Sequence, residues 1–114
     1  MINESIVEKL DNILIRYKEL ETLLSDPEIT KDPNKLKDLG KEYRSLDEIV
    51  KIWTKYKKTN LEIESISELI NSETDKDVLD LAKLEIESLK NTIEEVSDQI
   101  KIALLPKDIT ENAD

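Results

Sequence analysis

Residues 82–103 read AKLEIESLKNTIEEVSDQIKIA. Their apolar positions are Ala82, Ile86, Leu89, Ile93, Val96, Ile100 and Ala103, spaced 4, 3, 4, 3, 4, 3. That alternation returns every side chain to one stripe of a 3.6-residue turn, so the stretch reads as an amphipathic helix. Leu79, Leu81 and Leu84 widen the stripe at its start, and the helix is expected over about 75–103. Pro106 ends it, because proline has no N–H for the ladder and constrains the residue before it. Residues 106–114 show no periodicity and are expected to fray.

The same rule works outward toward the N-terminus. Asn71-Ser72-Glu73-Thr74-Asp75 has the polar residues of a turn, and either Ser72 or Thr74 is placed to cap the helix that follows. Asp75 and Asp77 favour its positive N-terminal end. Upstream, a long helix is expected from Pro33 to about Asn71, begun by Asp32 as N-cap and Pro33 at the first helical position. Its stripe is Leu36, Leu39, Tyr43, Leu46, Ile49, Val50, Trp53, Tyr56, Ile63, Ile66 and Ile70. The stripe drifts, as a seven-residue pattern must on a 3.6-residue turn. Gly40 lies inside this helix, as a tolerated surface glycine or a point of close packing. Residues 26–34 read as a connection bracketed by Pro27 and Pro33. Before it, Ile6, Leu10, Ile13, Tyr17, Leu20 and Leu24 mark a first helix, with Asn3 as N-cap and an end near Ser25-Asp26-Pro27.

Three amphipathic helices with short connections pack as antiparallel neighbours. The expected fold class is all-α: an elongated antiparallel three-helix bundle with a long coiled-coil-like hairpin. At 1.5 Å per residue the second helix is roughly 55–60 Å long and the third roughly 40–45 Å. No alternating run signals a strand, and one glycine cannot supply hairpin turns. The aromatics Tyr17, Tyr43, Trp53 and Tyr56 are expected to fill the shared core.

Composition narrows function by exclusion. The chain has 114 residues, no Cys and no His. Disulfides, thiol and imidazole catalysis and ordinary zinc sites are therefore ruled out. The single glycine rules out phosphate-cradling loops that need two or three. No cofactor is expected. Carboxylate pairs such as Glu94 and Glu95 sit on solvated helix faces, where nothing shifts a pKa for acid–base work. No stretch is long and apolar enough to span a membrane. The N-terminus carries neither a signal peptide nor an Arg-rich presequence, which points to the cytoplasm.

With 17 Lys+Arg against 27 Asp+Glu, the net charge of −10 argues against general nucleic-acid binding, DNA included. One window departs from this average. Residues 35–58 hold eight Lys+Arg and four acids, a local charge of +4 that leaves −14 for the rest. On a helix, Lys37, Lys41, Arg44, Lys51, Lys55 and Lys58 fall within ~100° of arc, opposite the apolar stripe. The reading is either a solvated face or a candidate docking face for an anionic protein or RNA surface.

Three stretches, in this order, carry a resemblance: Leu23-Leu24-Ser25-Asp26-Pro27-Glu28, Lys41-Glu42-Tyr43-Arg44-Ser45-Leu46 and Ile102-Ala103-Leu104-Leu105-Pro106-Lys107-Asp108. With them the chain resembles the N-terminal domain of bacterial class I peptide chain release factors, of the type reading UAA and UAG. The resemblance covers residues 1–108. It implies a helical domain over 1–105 and, over 106–114, the start of a linker to a further domain. It also implies a complete protein that promotes peptidyl-tRNA hydrolysis at stop codons on the ribosome. The family's Gly-Gly-Gln loop and its Pro-x-Thr-type codon-reading tripeptide match no position here. No catalytic residue is therefore carried over, and the chain by itself is not expected to be an enzyme. The partners implied by resemblance are the ribosomal stalk base, protein and rRNA, and the class II release factor GTPase. The acidic surface would then suit basic ribosomal protein and the basic arc rRNA. From the residues alone, a free-standing coiled-coil adaptor or oligomerisation module stays open.

Overall fold

The computed structural model describes residues 2–105. Four helices follow one another: α1 Glu4–Leu24, α2 Pro27–Thr30, α3 Pro33–Ser72 and α4 Lys76–Ala103. The described residues contain no strand, so the all-helical class expected from the periodicity holds. The linker expected over 106–114 lies outside the described residues.

The ends of the helices follow from local hydrogen bonding. Asn3 Oδ1 accepts from the Ile6 N–H at 2.9 Å and caps α1. Asp32 Oδ1 accepts from the N–H groups of Asn34 and Lys35 at 3.1 and 3.2 Å, at the start of α3. Two expectations need correction. The connection over 26–34 contains α2, capped by Asp26, whose Oδ1 accepts from the Glu28 N–H at 2.9 Å. Asp26-Pro27 is the same start signal as Asp32-Pro33, so Pro27 both stops one helix and opens the next. Second, α4 is capped by Asp75 rather than Ser72 or Thr74, its Oδ1 accepting from Asp77 and Val78 N–H. Ser72 is still inside α3, where its hydroxyl donates to the Glu68 carbonyl at 3.1 Å. Glu73 Oε1 takes the N–H groups of Thr74 and Asp75, both at 3.0 Å. Asp75→Ala should therefore lower the unfolding free energy by about 1 kcal/mol, read from urea denaturation, with no change in helix content at low denaturant.

The chain divides into two compact units, Ile2–Trp53 and the part from Thr54 onward. The first comprises α1, α2 and the first half of α3. Its core is Leu10, Leu20, Ile49, Val50 and Trp53, with Leu10 and Leu20 fully buried. The whole predicted α1 stripe is buried or half-buried. Trp53 Nε1 donates to Asp11 Oδ1 at 3.1 Å, which gives the indole N–H a partner at the edge of the core. Tyr17 and Tyr43 are only half-buried and do not join the core as expected. Their rings stack at the seam of α1 and α3, with centroids 4.4 Å apart and 11° between planes. Each hydroxyl reaches outward to a carboxylate: Tyr17 donates to Asp47 Oδ1 at 2.6 Å and Tyr43 to Glu21 Oε2 at 3.4 Å. A phenol with its polar end at the water boundary keeps both its apolar contact and its hydrogen bond.

The second unit pairs the second half of α3 with α4. Tyr56, Ala82, Ile93, Val96 and Ile100 are buried, so the stripe of α4 faces inward as read from its spacing. Leu81 and Leu84 do not widen that stripe; both are exposed. They sit about 100° and 160° around the helix from Ala82, beyond the sector the partner helix covers. A Cβ added to Gly40 would meet only the Arg44 guanidinium, at an ordinary 3.5 Å. Packing does not require glycine there.

Candidate partner-binding surface

All six residues of the predicted basic arc are exposed and lie on α3. Lys37, Lys41, Arg44 and Lys51 belong to the first unit, and Lys55 and Lys58 to the second. The structure therefore groups Lys37, Lys41 and Arg44 at i, i+4 and i+7 of one helix, where successive side chains share a face. None of these three enters an ion pair among the described residues.

Lys51 differs. Its Nζ lies 2.9 Å from Asp47 Oδ2, one turn earlier. Asp47 also accepts the Tyr17 hydroxyl, and the two interactions, that of Tyr17 first, hold its carboxyl below the usual range. Asp47 in turn raises the Lys51 ammonium pKa, and the Tyr17 hydroxyl is held well above its ordinary value by the same carboxylate. Glu48 is exposed and falls within the angular range of the arc, between Arg44 and Lys51. The sequence count of four acids included Asp47 and Glu48 but did not locate them: one is tied to a lysine of the arc and the other interrupts it.

Sequence reasoning missed Arg16. Its Nε and second terminal nitrogen donate to the two oxygens of Glu42, both at 2.7 Å, a bidentate fork between α1 and α3. Its remaining nitrogen meets Glu19 on its own helix. Glu42 holds the guanidinium further above its ordinary pKa, and Arg16 lowers the pKa of the Glu42 carboxyl. No sequence pattern links residues 26 apart, which is why the pair was not foreseen. Beside it opens a shallow cleft of about 470 Å³ whose lining includes Ser5, Asn12, Arg16 and Glu42.

These shifts have a sign. Glu42 and Asp47 have folded pKa values below the ordinary 4.5 and 3.8. Their contribution is complete above those ordinary values and is lost as pH falls through the lower folded ones. Thermal unfolding should therefore show Glu42→Gln less stable than the parent at neutral pH. The difference should vanish in acid and shrink in high salt, because the pair faces water.

Among the described residues no cluster of carboxylates is arranged to hold a metal ion, and no helix is long and apolar enough to cross a membrane.

Comparison with known proteins places this arrangement. The profile of the PCRF domain matches residues 13–114. Similar proteins include peptide chain release factor 1 of Bacillus licheniformis, 35% identical over 90% of this chain and 29% of the relative. That of Staphylococcus haemolyticus is 38% identical over 94% of this chain and 30% of the relative. That of Lactobacillus johnsonii is 32% identical over 97% of this chain and 31% of the relative. The chain thus spans about 30% of the length of the curated relatives it matches. No solved structure matches it. Its three stretches of resemblance, its helical order and the profile match agree, and the chain belongs to the PCRF domain family.

Proposed function

We propose that this chain is the ribosome-contacting, non-catalytic module of a peptide chain release factor acting at the stop codons UAA and UAG. The observation that carries the reading is the match of nearly the whole chain to one part of release factor 1 proteins. The residues are consistent with it. One glycine cannot form a Gly-Gly-Gln loop. In this reading the complete factor promotes peptidyl-tRNA hydrolysis through other domains, in the cytoplasm. The module docks near the ribosomal stalk base and supports the exchange with the class II release factor GTPase. Lys37, Lys41, Arg44, Lys55 and Lys58 then face rRNA phosphates, and Lys51, already paired with Asp47, contributes more weakly.

Codon-dependent peptide release on purified ribosomes tests this. Three proteins are compared: this chain, the complete factor, and the complete factor lacking residues 1–106. The expected result is no release by the chain and full release by the complete factor. The deletion should retain the chemistry and lose efficient recycling by the GTPase. A complete protein with no stop-codon-dependent release would overturn the reading and leave an oligomerising or adaptor coiled coil in its place.

A further inference from the structure

The carboxylate of Asp47 is held from two helices at once. Its Oδ1 accepts the hydroxyl of Tyr17 on α1 at 2.6 Å, and its Oδ2 lies 2.9 Å from the Lys51 ammonium, one turn further along α3. An exposed i,i+4 ion pair ordinarily contributes little, because ordering two side chains offsets most of the attraction. Here one of the two is ordered beforehand. The Tyr17 ring is fixed by its stack on Tyr43, and its hydroxyl in turn fixes Asp47. The Asp47 side chain is 37% exposed and that of Lys51 75%. Only the lysine then has to be held, so the pair loses less entropy than one between two free side chains.

Lys51 shares the angular range of Lys37, Lys41 and Arg44 on the first half of α3. Those three enter no ion pair among the described residues, whereas Lys51 meets a phosphate with a carboxylate already at its side. An approaching polyanion must displace that carboxylate or accept its repulsion. We infer that Asp47, anchored by Tyr17, masks Lys51 and limits how strongly the basic face of α3 takes up phosphates. A hydroxyl on α1 thereby sets the charge available on α3. This role rests on the docking of the basic face to rRNA proposed above, and adds the residues that restrain it. Glu48 supplies the contrast. It carries the same charge on the same face but enters no ion pair among the described residues, so it acts through its field alone.

The test titrates the labelled 114-residue chain with purified ribosomes over a salt series and reads fluorescence anisotropy. Asp47→Asn should raise affinity by about threefold near 0.1 M salt. It should also steepen the log–log salt dependence by about 0.7–0.9, the signature of one added phosphate contact. In a Lys51→Met background the gain should shrink to that of Glu48→Gln, which is the effect of removing a charge without unmasking an ammonium. Glu48→Gln itself should give the same gain in both backgrounds. Tyr17→Phe keeps the ring and removes only the hydroxyl, so it should give part of the Asp47→Asn gain, and none where Lys51 is Met. Circular dichroism should show every variant as helical as the parent. An equal gain from Asp47→Asn with and without Lys51 would overturn the mask. A Tyr17→Phe variant that binds like the parent would overturn the part played by α1. Unchanged affinity for Asp47→Asn, alongside a loss when Lys37, Lys41 and Arg44 are reversed, would sink the inference and leave the docking reading standing. If reversing those three also changes nothing, the docking reading fails and the mask with it.

Discussion

Leu20→Ala is expected to lower the unfolding free energy by about 2–5 kcal/mol, the range for a leucine removed from a closed core. Leu20 has no exposed surface, on a helix whose stripe packs against the first half of α3. Alanine is the best helix former, so the substitution leaves the helix intact and the loss reports packing alone. Domains of this kind have only about 5–15 kcal/mol in total, so one such cavity removes a large share. Leu81→Ala supplies the contrast. It removes the same atoms from a side chain that is 68% exposed, and its effect should stay within about 0.5 kcal/mol. Urea unfolding followed by circular dichroism measures both. Equal losses at the two positions would contradict the burial pattern, and with it the assignment of Leu81 to an uncovered face.

The second large effect concerns binding. Lys37, Lys41 and Arg44 are exposed on one face of α3, and the proposal places them against rRNA phosphates. Reversing all three to Glu should lower the affinity of the chain for ribosomes on the order of 10²-fold near 0.1 M salt. It should also make the log–log salt dependence shallower by about 2–3, since each lost phosphate contact removes about 0.7–0.9 of slope. Lys51→Glu should have a smaller effect, because Asp47 already holds that ammonium at 2.9 Å. Unchanged affinity and slope after the triple reversal would mean that the face is merely solvated.

Much of the fold is legible along the chain because helix periodicity is a local property. The stripes of α1 and α4 turn inward as their spacing requires, and Asn3 and Asp32 cap the helices they precede. α2 was just as legible, since Asp26-Pro27 repeats the signal of Asp32-Pro33, but a proline read only as a stop conceals a start. The choice of Asp75 over Ser72 and Thr74 turned on where α3 ends, and Glu73 decides that by taking the N–H groups of the turn.

The candidate surface was half legible. The excess of Lys and Arg in residues 35–58 is a count, and their common arc follows from 100° per residue. What the count omitted is that Asp47 is bound to Lys51 and to the hydroxyl of a tyrosine 30 residues away. By itself the sequence determined the three long helices, the inward stripes of α1 and α4, the absence of thiol and imidazole side chains, and the resemblance that the family match bears out. Only the tertiary structure decided that Arg16 grips Glu42, that Trp53 reaches Asp11, that Tyr17 and Tyr43 stack at a seam, and that Leu81 and Leu84 stay outside. The physical reason is that spacing fixes the direction in which a side chain leaves its own helix. What it meets depends on how a second helix is rotated against the first, and packing across the whole interface sets that rotation.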